Sequence, residues 1–183
     1  MFPVSHLSNL LLQLQILSEE LLEIYRGKHL SVIEKSDHSP LTIADLHSEK
    51  RLEAMLEPFG FPILSEEVAC NFDRAKTETF WVIDPLDGTK DFIQKTGEFS
   101  VMIGLVKNGV PVLGIVCVPA EEKIYYAQKG SGAFLLSENQ EQKLTVTKTA
   151  QIKGANLITS RNHFSDEMQK FSKLHALNLV QCG

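Results

Sequence analysis

The sequence has no apolar run approaching the roughly 20 residues that a membrane-spanning helix needs. An integral membrane segment of that kind is therefore not expected. No Lys or Arg precedes the apolar residues of MFPVSHLSNLLLQLQILSEELLEIYR, and Gln, Ser and Glu interrupt them. That stretch reads as an amphipathic helix rather than a signal peptide. Cysteine is scarce: Cys70, Cys117 and Cys182 are odd in number and far apart, which fits neither a zinc site nor a disulfide framework. A reducing cytoplasm is the expected compartment, and Cys117, inside an apolar stretch, is expected to be packed in the core. Basic clusters are also missing. With 18 Lys and Arg against 23 Asp and Glu, the net charge is −5. Without a basic stripe, a nucleic acid polymer is not an expected partner. An acidic balance also disfavours small phosphorylated ligands, unless bound cations reverse the local field. Repeats and low-complexity tracts are absent too.

What is present reads as an ordinary globular chain. The 183 residues are 43% hydrophobic and 22% charged, enough for one sizeable core or for a domain plus part of another. Leu7, Leu10, Leu11, Leu14, Leu17, Leu21 and Leu22 recur at helical spacing, and Gly27 ends the helix. Residues 34–41 read as a loop. Thr42 opens a second helix with Asp45 as the acid of a capping box and with Leu46, Leu52, Met55 and Leu56 inward. Pro58 and Gly60 stop it. Short strands are expected at 61–64 and 79–83, each running into acids. A β-rich section follows, with strands at 99–106, 112–118, 123–127 and 133–136. Asn108-Gly109 marks a hairpin. Residues 137–143 form the clearest polar break, and 144–146 close the sheet. A strand at 155–159, a helix at 165–174 and a strand at 177–180 complete the chain. The predicted fold class is α+β: a layered N-terminal domain over residues 1–147, followed by the start of an α/β unit over 148–183.

The chemistry gathers at WVIDPLDGTKDF, residues 81–92. An apolar strand runs into Asp84, and Asp87 lies three residues on across Pro85. Glu66 and Glu67 end the other strand, and Asp45 begins a helix. Hard divalent cations take carboxylate and carbonyl oxygens, and the Leu86 carbonyl can face the same point as Asp84 and Asp87. Gly88 allows close backbone approach, and amides at the start of the helix after it would meet an anion. Two cations about 4 Å apart could hold the attacking and leaving oxygens of a phosphate in line. Each residue also has a plainer reading. Asp45 alone is more often a capping acid. Glu66 and Glu67 alone are a solvated strand end. Asp-Pro and Asp-Gly are common turn formers. The histidines show no ligand spacing.

Glu66-Glu67 followed by Asp84-Pro85-Leu86-Asp87-Gly88-Thr89 resembles the signature of the inositol monophosphatase superfamily, whose members are magnesium-dependent, lithium-sensitive phosphatases. Within it, Gly88-Thr89-Lys90-Asp91-Phe92 followed by Gly97-Glu98-Phe99 is similar to the 3'(2'),5'-bisphosphate nucleotidases of the CysQ type. Lys35 to Thr42, Leu64-Ser65-Glu66-Glu67 and Ser160-Arg161-Asn162-His163 share that likeness.

The resemblance implies a layered α/β sandwich of the inositol monophosphatase type, with its second domain incomplete. It implies Mg2+ as cofactor, held by Glu66, Asp84, the Leu86 carbonyl and Asp87. It implies Asp45 and Thr89 as the pair that orients and deprotonates the attacking water. The Gly88 and Thr89 amides would cradle phosphate, with Ser160 and His163 near the nucleotide. The implied reaction removes the 3'-phosphate of adenosine 3',5'-bisphosphate to give AMP, clearing a by-product of sulfate activation. A cytoplasmic location follows, with peripheral association at the inner face of the plasma membrane, and a homodimer is a further expectation. Family members continue past the length seen here into a region whose Trp-Asp-x-Ala motif supplies another metal ligand. Two alternatives stand beside this reading: a phosphatase for inositol monophosphate or fructose 1,6-bisphosphate, and an inactive fragment that associates through the apolar edge at 177–180.

Overall fold

The computed structural model describes residues 2–27, 32–34, 40–148, 150–161 and 164–182. Two compact units divide the chain, Met1–Leu144 and Thr145–Gly183. The first begins with helix α1 (Val4–Arg26), whose leucines at 7, 10, 11, 14, 17, 21 and 22 are all buried. A short antiparallel hairpin, β1 (Val32–Glu34) and β2 (Pro40–Thr42), leads into helix α2 (Ile43–Leu56). Leu52 and Leu56 face inward from α2, but Leu46 does not: it is 45% exposed. The buried face of α2 instead carries Ala44, Asp45, Ser48 and Glu49, so polar groups displace the expected apolar stripe.

The strands that follow are β3 (Ile63–Ser65), β4 (Thr79–Asp87), then, after helix α3 (Thr89–Gln94), β5 (Ser100–Lys107), β6 (Val110–Val118), β7 (Lys123–Gln128), β8 (Gly132–Ser137) and β9 (Gln140–Leu144). Among the described residues they form one seven-stranded sheet in sequence order, with β3 parallel to β4 and every other pair antiparallel. Period-two alternation points Val101, Ile103, Leu105, Leu113, Ile115 and Cys117 to one face. There they join the α1 leucines, Trp81 and Phe92 in a single core. Asn108 and Gly109 both take positive φ, as the expected hairpin turn requires.

Two strand assignments need correction. The polar break at 137–143 is not a loop. Glu138 and Asn139 form a turn with positive φ, and Gln140–Leu144 pairs with β8 as the last strand. Val146, expected in that closing strand, is exposed. An edge strand needs no apolar face, and charged side chains such as Glu141 and Lys143 discourage further pairing. Strand β4 also does not stop at Asp84 but continues to Asp87.

The second unit is a β-α-β crossover. Strand β10 (Asn156–Ser160) pairs in parallel with β11 (Asn178–Cys182), and helix α4 (Asp166–Leu174) joins them. Ser165 caps α4 by accepting from the Met168 amide at 3.3 Å. Ile158, Leu179 and Val180 are exposed. No helix among the described residues is long and apolar enough to cross a membrane.

Cys117 is buried in the core as expected, and burial pushes its thiol up to about 12, while Cys70 is exposed. A thiol-reactive dye added to the native chain is expected to label Cys70 at once and Cys117 only on unfolding. Prompt labelling of Cys117 would contradict this packing.

Candidate active site

The site starts from a helix cap. Thr42 and Asp45 form a capping box in which Asp45 Oδ2 accepts from the Thr42 amide at 2.7 Å and from Thr42 Oγ1 at 2.6 Å. The Ala44 amide donates to Thr42 Oγ1 at 3.1 Å. Asp45 is completely buried. With Oδ2 committed to the cap, Oδ1 is left to face Thr89 Oγ1 at 3.0 Å. Thr89 Oγ1 also lies 3.1 Å from the Leu86 carbonyl oxygen. Its single proton serves one acceptor at a time, so the hydroxyl keeps lone pairs for a third group. The sequence-predicted pair Asp45 and Thr89, 44 residues apart, is thus brought into direct contact.

A bulge positions the acids. On a regular strand, residues three apart point to opposite faces. Asp84 pairs with Met102 and Asp87 with Ser100, so a three-residue step on β4 spans a two-residue step on β5. The extra residue brings Asp84 and Asp87 to the face that Met102 and Ser100 share. The Leu86 amide donates to Asp84 Oδ1 at 3.1 Å and holds the bulge from inside. Parallel pairing sets Ser65 beside Ile83, and the Glu66 amide donates to the Ile83 carbonyl at 3.3 Å. Glu66 therefore lies next to Asp84.

The charges crowd. Partial burial, then the Glu66 carboxylate, a hydrogen bond with Glu66 and the charge of Asp87 push Asp84 up to about 7. Desolvation and Glu66 also push Asp87 upward, against the Gly88 amide that donates to it. Among the described residues, no three His, Cys, Asp or Glu side chains already form an enclosing metal cage. The donor chemistry nonetheless fits a hard divalent cation. It offers three mutually repelling carboxylates and a nearby backbone carbonyl, all oxygen, with positive charge as the missing element.

Gly88 takes φ +86, and a Cβ there would meet the Glu98 carbonyl oxygen at 2.7 Å. Backbone, not a movable side chain, blocks any larger residue. Its amide is engaged by Asp87, so only Thr89 of the two predicted cradle amides is left without that demand. Asp91 is buried and accepts from Thr96 Oγ1 at 3.0 Å, and its charge adds to those that push Asp87 upward. Ser160 ends β10 in the second unit, and His163 lies outside the described residues. Sequence reasoning missed Glu49, one turn after Asp45 on α2. It is buried, accepts from Ser65 Oγ at 2.5 Å, and burial pushes its carboxyl upward. Its only signal was a polar residue four after Asp45 on the inward face.

The sequence profile of the inositol monophosphatase family matches residues 4–183. The chain belongs to the inositol monophosphatase family. It is 33% identical over 160 residues to the 3'(2'),5'-bisphosphate nucleotidase CysQ of Salmonella typhimurium, covering 84% of this chain and 62% of that protein. The CysQ of Haemophilus influenzae is 37% identical over 149 residues, covering 79% and 55%. The crystal structure of CysQ from Bacteroides thetaiotaomicron, a bacterial member of the same family, superposes with a TM-score of 0.76 at 33% identity, covering 92% of this chain and 69% of that one. The chain thus spans less than two thirds of the length of the Salmonella and Haemophilus proteins. The mixed sheet with α1 and α2 on one face is the inositol monophosphatase arrangement that the sequence led us to expect.

Gly88→Ala is expected to destabilise the fold by about 3 kcal/mol, from forbidden φ plus the backbone clash. Thermal unfolding checks this, and an unchanged midpoint would contradict the geometry at Gly88.

Proposed function

We propose that this chain carries the metal-binding and water-activating part of a magnesium-dependent phosphatase. Its proposed substrate is adenosine 3',5'-bisphosphate, from which it removes the 3'-phosphate to give AMP and phosphate. The observation that carries the reading is Thr89 Oγ1, 3.0 Å from the buried Asp45 carboxylate and 3.1 Å from the Leu86 carbonyl, beside Glu66, Asp84 and Asp87. The similarity to CysQ nucleotidases supports the substrate class.

Glu66, Asp84, the Leu86 carbonyl and Asp87 would hold the cation. When bound, the cation supplies Lewis acidity that offsets the charge of the phosphate. Thr89 Oγ1 accepts a hydrogen bond from the attacking water and orients it. As the water oxygen bonds to phosphorus, its proton passes to Thr89 Oγ1, and the Thr89 proton passes to Asp45 Oδ1. The bond from phosphorus to the 3'-oxygen breaks on the opposite side, and that oxygen takes a proton from solvent water to become the 3'-hydroxyl, while Asp45 later returns its proton to solvent. Thr42 keeps Asp45 in register for the relay by holding Oδ2. The Thr89 amide meets a phosphate oxygen at the start of α3. The proposal extends to a cytoplasmic setting and to clearance of a by-product of sulfate activation.

Phosphate release from adenosine 3',5'-bisphosphate, inositol 1-phosphate and fructose 1,6-bisphosphate tests the reading. Magnesium-dependent release is expected to be fastest from the nucleotide. Thr89→Ala is expected to lower kcat by about a hundred- to ten-thousand-fold. Faster release from either sugar phosphate would overturn the substrate assignment. Full activity in Thr89→Ala would overturn the relay.

A further inference from the structure

Glu49 plays no part in the chemistry above, yet its surroundings are unusual. It is 8% exposed, one turn beyond Asp45 on α2. Oε2 accepts from Ser65 Oγ at 2.5 Å. Oε1 is buried with no partner among the described residues. A buried carboxyl with half its hydrogen-bonding capacity unused is costly, and packing alone would favour an apolar residue there. What it holds is specific. Ser65 Oγ in turn accepts from the Glu67 amide at 3.1 Å, closing a small turn around Glu66. The order of donation has one direction, from the Glu67 amide to Ser65 Oγ and from Ser65 Oγ to Glu49. Only an acceptor at position 49 draws the Ser65 proton away and leaves its lone pairs toward Glu67. On the other side, the Glu66 amide is tied to the Ile83 carbonyl at 3.3 Å.

We propose that Glu49 is a positioning residue: through Ser65 it fixes the turn from Ser65 to Glu67 and so aims the Glu66 carboxylate at the cation site beside Asp84. This rests on the proposed cation site. The same helix then carries both Asp45, which orients Thr89, and Glu49, which orients Glu66. One rigid element sets the spacing between the water-activating pair and the first metal donor.

Isothermal titration of the full chain with magnesium tests the inference, alongside thermal unfolding of each variant. Glu49→Ala and Ser65→Ala are each expected to weaken magnesium binding about tenfold. Glu49→Gln keeps an acceptor oxygen and is expected to restore most of the affinity. The double variant Glu49→Ala with Ser65→Ala is expected to be no worse than either single one, because both break one chain of hydrogen bonds. A folded Glu49→Ala chain with unchanged magnesium affinity, even at a lower unfolding midpoint, overturns the positioning role. Should Glu49→Ala fail to fold, unchanged affinity in Ser65→Ala overturns it equally. A wild-type chain that binds no magnesium overturns the cation site itself, and the inference with it.

Discussion

The two oxygens of Asp45 face different tasks, and the site depends on that division. Oδ2 completes the cap of α2 with Thr42, and Oδ1 meets Thr89 at the start of α3. A capping box is ordinarily a device of local stability. Here the same bonds fix the rotamer of a fully buried carboxylate and point its second oxygen across 44 residues of sequence. Loss of the Thr42 hydroxyl would therefore free the carboxylate that we propose takes the proton from Thr89, as well as a helix end. In that proposal stability and chemistry are coupled at one side chain.

The second constraint is repulsion accepted by the backbone. The β4 bulge spends one ladder position to bring Asp84 and Asp87 to the same face, next to Glu66. The burial and neighbours that push Asp84 up to about 7 show that this cluster is costly to ionise without a cation. Pro85 sits in the bulge, where no ladder donor is required. Gly88 then turns the chain sharply into α3 against the Glu98 carbonyl. Strand, bulge, left-handed glycine and short helix form a single unit whose product is the placement of two carboxylates, one backbone carbonyl and one hydroxyl.

Much of this was legible in the sequence. The leucine spacing of α1, the Thr42–Asp45 box, the Asn108-Gly109 hairpin and the acids around Pro85 each carry a local signal strong enough to read. The inositol monophosphatase likeness at residues 66–67 and 84–89 agreed with the fold and with the family. Other features carried no local signal. Strand β9 is polar because an edge needs no buried face, so periodicity read it as a break. The bulge is a relation between β4 and β5, invisible in either strand alone. Leu46 faces outward while Ser48 and Glu49 take inward positions of α2, and the partner that accounts for Glu49, Ser65, lies on β3 and is invisible in the helix sequence.

Diffraction at the manganese absorption edge from crystals of this chain grown with manganese, a redox-stable stand-in for magnesium at oxygen ligands, is the most direct test of the cation site. An anomalous peak within bonding distance of Glu66, Asp84, the Leu86 carbonyl and Asp87, adjacent to Thr89 Oγ1, is the predicted result. Crystals with full manganese occupancy elsewhere and no peak among those four residues would contradict the assignment of this carboxylate cluster as the metal centre.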